Sequence, residues 1–111
     1  MIEKIILDYL TDALTVPVYM EIPANPPAAF VVIEKTGSSV ENRLWSAMFA
    51  IQSYGPSMYA AASLNEEVKA AMLDAVVLDD ITSVSVNSDY NFTDTGTKRY
   101  RYQAVFDIFH Y

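Results

Sequence analysis

The sequence predicts an α+β domain: a mostly antiparallel sheet of about five strands with two helices packed on one face. Three observations carry that reading. Segments with helical spacing open the chain and recur near its middle, five β-branched and aromatic segments fill the rest, and the short connections favour antiparallel neighbours over crossovers. At 111 residues the chain has room for one domain, residues 1–111.

Ile2, Ile5, Ile6, Tyr9, Leu10 and Ala13 recur at helical spacing, with Glu3, Lys4, Asp8 and Asp12 on the remaining face, so an amphipathic helix is expected first. Pro17 removes a donor and biases Val16 toward extended geometry, which ends that helix by about Leu14 or Thr15. A short strand from Val16 to Glu21 follows. Residues 22–28 then hold three of the five prolines and must be a loop or a sheet edge.

Ala29 to Thr36 reads as a strand, Gly37-Ser38-Ser39 as a turn, and Arg43 to Tyr54 as the returning arm of an antiparallel hairpin. In that arm Trp45, Ala47, Phe49 and Ile51 share a core face, while Leu44, Met48 and Ala50 share the other with Ser46 and Gln52. Gly55-Pro56-Ser57 punctuates the chain and offers Ser57 or Gly55 as the cap of a second helix running to about Val77. Its inward stripe is Ala61, Leu64, Val68, Ala71, Met72 and Ala75. Strands at Ile81–Tyr90 and Lys98–His110 close the domain as a second hairpin around the turn residues 91–97, and Tyr100, Tyr102, Ala104, Phe106 and Ile108 alternate strictly in the last of them.

Composition restricts the function. Apolar residues make up 52% and charged residues 19%, a balance that folds, and 14 acidic against 7 basic side chains give a formal charge of -7. That sign opposes phosphate neutralisation, so no specific nucleic-acid binding is expected. No stretch approaches the ~20 apolar residues of a membrane span, and the N-terminus has no signal-peptide pattern, so a soluble, unexported protein is expected. Without cysteine there is no thiol nucleophile or thiolate metal site.

Catalysis finds no footing. The single imidazole, His110, sits at a strand end beside the last residue, and the neighbouring acids Glu66-Glu67 and Asp79-Asp80 do not face each other. Asp89 to Asp94 places oxygen donors at alternate positions like a calcium loop, but Asp94 stands where the sharp-turn glycine belongs and Tyr100 where the bidentate glutamate belongs. No catalytic, cofactor or metal site is expected. The candidate contacts are instead Arg43, Lys98, Arg99 and Arg101 at the starts of two strands, which suit either an acidic protein partner or a solvated edge that discourages strand pairing. Val18 and Tyr19, near the prolines, and the half-apolar face of Leu44 and Met48 suit either an oligomer interface or burial under a helix.

The stretch "VPVYMEIPANPPAAFVVIEKTG", the strand "RLWSAMFAIQSYGPS", the helix "YAAASLNEEVKAAMLDAV" and the close "ITSVSVNSDYNFTDTGTKRYRYQAVFDIF", in that order after an amphipathic helix, resemble the tail-completion or tail-terminator proteins of long-tailed bacteriophages and prophages. The resemblance spans nearly the whole chain. It implies a sheet with helices on one side and a ring of six copies that caps the tail tube, stops its polymerisation and joins the head-completion (neck) proteins. It further implies a place in the virion, with host cytoplasm the site of assembly, and partners that are other copies, the tail-tube protein and the head-completion protein. Under it Arg43, Lys98, Arg99 and Arg101 are interface residues, and a Thr36–Arg43 loop reaches a neighbouring ring. The contrasting expectation is a small ligand-binding or enzymatic domain whose pocket is lined by Trp45, Tyr100 and Tyr102.

Overall fold

The computed structural model describes residues 1–97 and 99–111. Helix α1 covers Ile2–Ala13 and buries Ile2, Ile6 and Leu10, the stripe its periodicity marks. It stops at Leu14, whose extended backbone (φ -103, ψ 154) leads toward Pro17. Strand β1 is only Val18–Tyr19, entered directly from Pro17, and its two residues run parallel to Val31 and Val32. The Pro17 carbonyl anchors its start by accepting from the Val31 N–H at 3.0 Å.

Strands β2 (Phe30–Glu41) and β3 (Leu44–Gly55) form the expected hairpin, but it is longer and turns elsewhere. The reversal is made by Asn42 and Arg43, both left-handed with φ 51 and 65. Two successive left-handed residues give the two-residue turn whose twist matches paired strands. Gly37-Ser38-Ser39 is therefore strand, and the slack there is a one-residue bulge between Lys35 and Gly37. The segment from Thr36 onward is a paired arm and not a loop.

Helix α2 spans Met58–Asp74 and continues into a 3-10 turn at Ala75–Val77. Ser57 caps it, its hydroxyl accepting from the Ala60 N–H at 3.1 Å. Strands β4 (Ile81–Asn91) and β5 (Tyr100–His110) complete a five-stranded sheet in the order β1-β2-β3-β5-β4, antiparallel except for β1.

The register assigns each strand residue to a face. Ile33, Ile51 and Ala104 share one row with Asp89, and Phe49, Phe106 and Val86 share the next. Both rows lie under the helices, where Ile6, Leu10, Leu64, Val68 and Met72 join Phe49, Ile51, Phe106 and Ile108 in one core. Both helices thus cover one face of a mostly antiparallel sheet, the α+β arrangement the sequence predicts. The other face has no helix. The apolar cluster buried there is small, Phe30, Val32 and Tyr54 with Tyr19 against it, and Ala50 and Gln103 are buried beside it. No helix among the described residues is long and apolar enough to cross a membrane.

Candidate interaction surfaces

The helix-free face is ordered by two apolar–polar clusters at opposite ends of β3. At the β1 end, Phe30 and Tyr54 stack with ring centroids 4.4 Å apart and planes 5° from parallel, while Tyr19 meets Phe30 edge-on at 6.1 Å. Arg101, paired with Tyr54 across the ladder, extends over these rings. Its guanidinium carbon is 4.3 Å from the Phe92 centroid and 5.9 Å from that of Tyr54. Nε donates to the Phe92 carbonyl at 2.6 Å and a terminal nitrogen donates to the Tyr54 hydroxyl at 3.0 Å. A half-buried cation with these partners holds the β4–β5 turn against the sheet. Further along, the Gln52 amide donates to Gln103, whose own amide donates to the Tyr90 hydroxyl, so a polar row crosses β3, β5 and β4.

At the hairpin end, side chains lack cover. The last eight residues of β2, from Glu34 to Glu41, are all exposed. Large apolar residues are left accessible there on both faces, Val40 (51%) and Trp45 (43%) on the helix side beyond the helices, Met48 (38%) and Phe109 (42%) on the open side. Leu44 is half-buried and Met48 exposed, and neither lies under a helix, because the helices are on the opposite face. A 470 Å³ depression opens between the arms, its wall including Ser39, Ser46, Met48, Ser85 and Phe109. Its one carboxylate, Asp107, accepts from the Asn87 amide at 3.1 Å.

The basic residues are thereby split. Arg43 lies in the β2–β3 turn, whereas Arg99 and Arg101 lie at the far end of the sheet, Arg101 opposite Tyr54. Arg99 is exposed and lines a 210 Å³ hollow with Pro26, Pro27 and Tyr100. Lys98 lies outside the described residues. Arg101 is half-buried and makes the intramolecular bonds that hold the turn. Among the described residues Lys4, Lys35 and Lys69 form ion pairs, with Asp8, Glu3 and the pair Glu66 and Asp89 respectively, and none involves Arg43, Arg99 or Arg101. Val18 and Tyr19 sit at the sheet edge, half-buried, Tyr19 packing on Phe30 and Val18 on the main core.

The aromatic pocket fails on register. Trp45 opposes His110 and Tyr100 opposes Gly55, so the two rings stand ten positions apart along β3, roughly 33 Å at about 3.3 Å per residue. Tyr102, opposite Ser53, faces the helices. These three side chains line no common cavity.

Two ionisable groups have environments that tie elements together. Burial pushes the Tyr9 hydroxyl up from its ordinary pKa, with the Asp74 charge adding to it, and the hydroxyl donates to the Ala71 carbonyl at 2.7 Å between the two helices. Lys69 is raised by its bonds to Glu66 and Asp89, the latter reaching from α2 to β4. In the β4–β5 turn, the Thr97 hydroxyl and the Gly96 N–H hold the exposed Asp94 carboxyl below its usual value, an interaction that shapes the turn. Among the described residues no group of three or more His, Asp or Glu side chains converges to hold a metal ion.

Sequence reasoning missed the Arg101 clamp and the second apolar cluster. The signal for the cluster was present: Phe30-Val31-Val32-Ile33 is a continuous apolar run, the pattern of a strand covered on both faces, and all four residues are buried. In comparisons with known proteins, no protein family and no curated sequence matches this chain.

Proposed function

We propose that this chain is a structural virion assembly protein, a tail terminator that forms a ring of six copies on the phage tail tube, halts its growth and joins the head-completion proteins. It acts by contact and without catalysis, in the virion after assembly in the host cytoplasm. The observation that supports this reading most is the β2–β3 hairpin. Its β2 arm is exposed from Glu34 to Glu41, and Val40, Trp45 and Met48 stay unburied at that end, which a domain working alone has no reason to extend. The separation of Arg43 from Arg99 along the sheet also suits a head-to-tail contact, in which one patch meets an unlike patch on the next copy.

Electron microscopy of the purified protein, alone and with tail-tube protein, tests it. Rings with sixfold symmetry and tubes of restricted length are expected. Monomers alone at high concentration, together with unchanged tube length, overturn the reading.

A further inference from the structure

We infer that copies of this chain join through their sheets, strand β4 of one copy pairing antiparallel with the outer half of β2 of the next. The inference rests on the assembly reading only in requiring that copies meet. Both segments are free sheet edges. β4 pairs only with β5, and β1 covers β2 at Val31 and Val32 alone, leaving Lys35–Glu41 with one side of its backbone unpaired among the described residues. Edges of this length are normally guarded by charge or proline. Here residues 36–40 of β2 and 81–88 of β4 contain neither.

The direction is determined by the sheet. Successive strands from β2 through β3 and β5 to β4 alternate, so β4 runs opposite to β2, and a second copy placed alongside in the same orientation presents its β2 antiparallel to β4. Such a contact is heterologous and can repeat around a ring.

One register satisfies every feature of both edges. With Val40 opposite Val84, Ser38 meets Val86 and Lys35 meets Asp89, all on the helix-covered face in both copies. Ser39 meets Ser85 and Glu41 meets Ser83 on the open face. β2 carries one bulge, between Lys35 and Gly37, and β4 two, between Val86 and Ser88 and between Ile81 and Ser83; in this register the first two fall opposite each other, and the third lies past Ser83, the partner of the last β2 residue Glu41. A bulge on one edge alone would flip every later side chain to the wrong face. Two facing bulges cancel. Val32, where β1 begins to occupy the edge, then lies just past Asn91, the last residue of β4, so β1 does not obstruct the neighbour.

Charge agrees with the same register. Lys35 is bound to Glu3 at 3.3 Å and Asp89 to Lys69 at 2.9 Å. Joining the edges sets Lys35 beside Asp89 and makes a chain of four charges that alternate in sign across the junction.

The natural absence of cysteine makes disulfide trapping clean. Facing residues of an antiparallel pair lie within the Cα separation a disulfide spans, whereas Val40 and Val84 of one copy are three strand spacings apart, about 14 Å. The oxidised full-length Val40→Cys/Val84→Cys variant, at millimolar concentration, is expected to give a ladder of covalent oligomers that a reductant collapses. Each single variant is expected to form no covalent ladder, and Val40→Cys/Ser85→Cys, with its thiols on opposite faces, to lose the ladder as well. No ladder from the first pair overturns the proposal, as does a dimer from Val84→Cys alone, which would mean that two β4 strands pair. Should the double variant misfold by circular dichroism, hydrogen exchange on the wild-type chain decides: protection rising with concentration in residues 35–41 and 81–89 is expected, and its absence there overturns the inference. Trapped oligomers without any effect on tube length would leave the edge contact standing and remove the terminator reading. Capping without trapping would do the reverse.

Discussion

Arg101 and Phe92 grip each other twice, through a guanidinium 4.3 Å from the ring centroid and through an Nε–H bond of 2.6 Å to the Phe92 carbonyl. The contact closes the β4–β5 hairpin from above while Tyr54 supports the same cation from β3. Three elements therefore depend on one side chain. Arg101→Ala is expected to lower unfolding stability by about 1–3 kcal/mol, the range of a charge-assisted bond plus a partly exposed cation–π contact. Arg101→Lys should recover only part of this, because an ammonium cannot stack and donate in two directions at once. Urea unfolding measures both, and an alanine variant as stable as wild type would refute the clamp.

Gly55 ends β3 where α2 begins beneath it. A Cβ at this position would stand 2.7 Å from the Ala61 nitrogen and 3.0 Å from the Ala60 carbonyl carbon, backbone atoms that cannot swing aside. Gly55→Ala should therefore cost about 1–3 kcal/mol, as overpacking does in interiors. Gly37 is the control: no atom lies within 4 Å of the position a methyl group would take there, so Gly37→Ala should be close to neutral in the same unfolding experiment.

The Tyr9 hydroxyl links the helices through the Ala71 carbonyl and has a pKa raised by burial and by Asp74. A group that holds its proton more tightly when folded makes stability fall with rising pH, once the unfolded chain begins to lose that proton near its ordinary value of 10.0. Lys69, raised above 10.5, acts in the same direction. Stability should thus decline above about pH 10. Tyr9→Phe should flatten that slope while lowering stability at neutral pH by about 1 kcal/mol for the lost bond. Thermal unfolding as a function of pH, with an equally steep alkaline decline in the phenylalanine variant, would show that Tyr9 is not its source.

How much of this was legible depends on whether the cause is local. The α1 stripe of Ile2, Ile6 and Leu10 and the alternation of Ala104, Phe106 and Ile108 could be read directly, because burial repeats with the period of the element. Ser57 was legible as a cap because its chemistry acts within one turn. The turn was misplaced because Gly37-Ser38-Ser39 has the stronger intrinsic turn chemistry, while the left-handed strain at Asn42 and Arg43 is offset by ladder pairing on both sides. Arg101 was visible as a charge but not as a clamp, since its partners come from Phe92 and Tyr54 and are known only once the register is. The facing bulges of β2 and β4 are further still from the sequence: each is an irregularity of pairing that no run of residues announces.

Under the proposed function, Arg43 connects stability to assembly. Its φ of 65 is unfavourable for a side chain with a Cβ, at about 1–2 kcal/mol, and glycine adopts that conformation freely. The exposed guanidinium has no ion pair among the described residues to repay the strain, so nothing within the described fold selects arginine here. Strain retained at an exposed tip suits a residue kept for contact with another chain. Arg43→Gly is accordingly expected to raise monomer stability by about 1 kcal/mol in urea unfolding and, under the proposed function, to weaken assembly on tail tubes. Arg43→Lys, which keeps the charge and the strain, should leave stability unchanged and retain part of the assembly. If Arg43→Gly gained stability and assembled as well as wild type, the arginine would have no part in the contact.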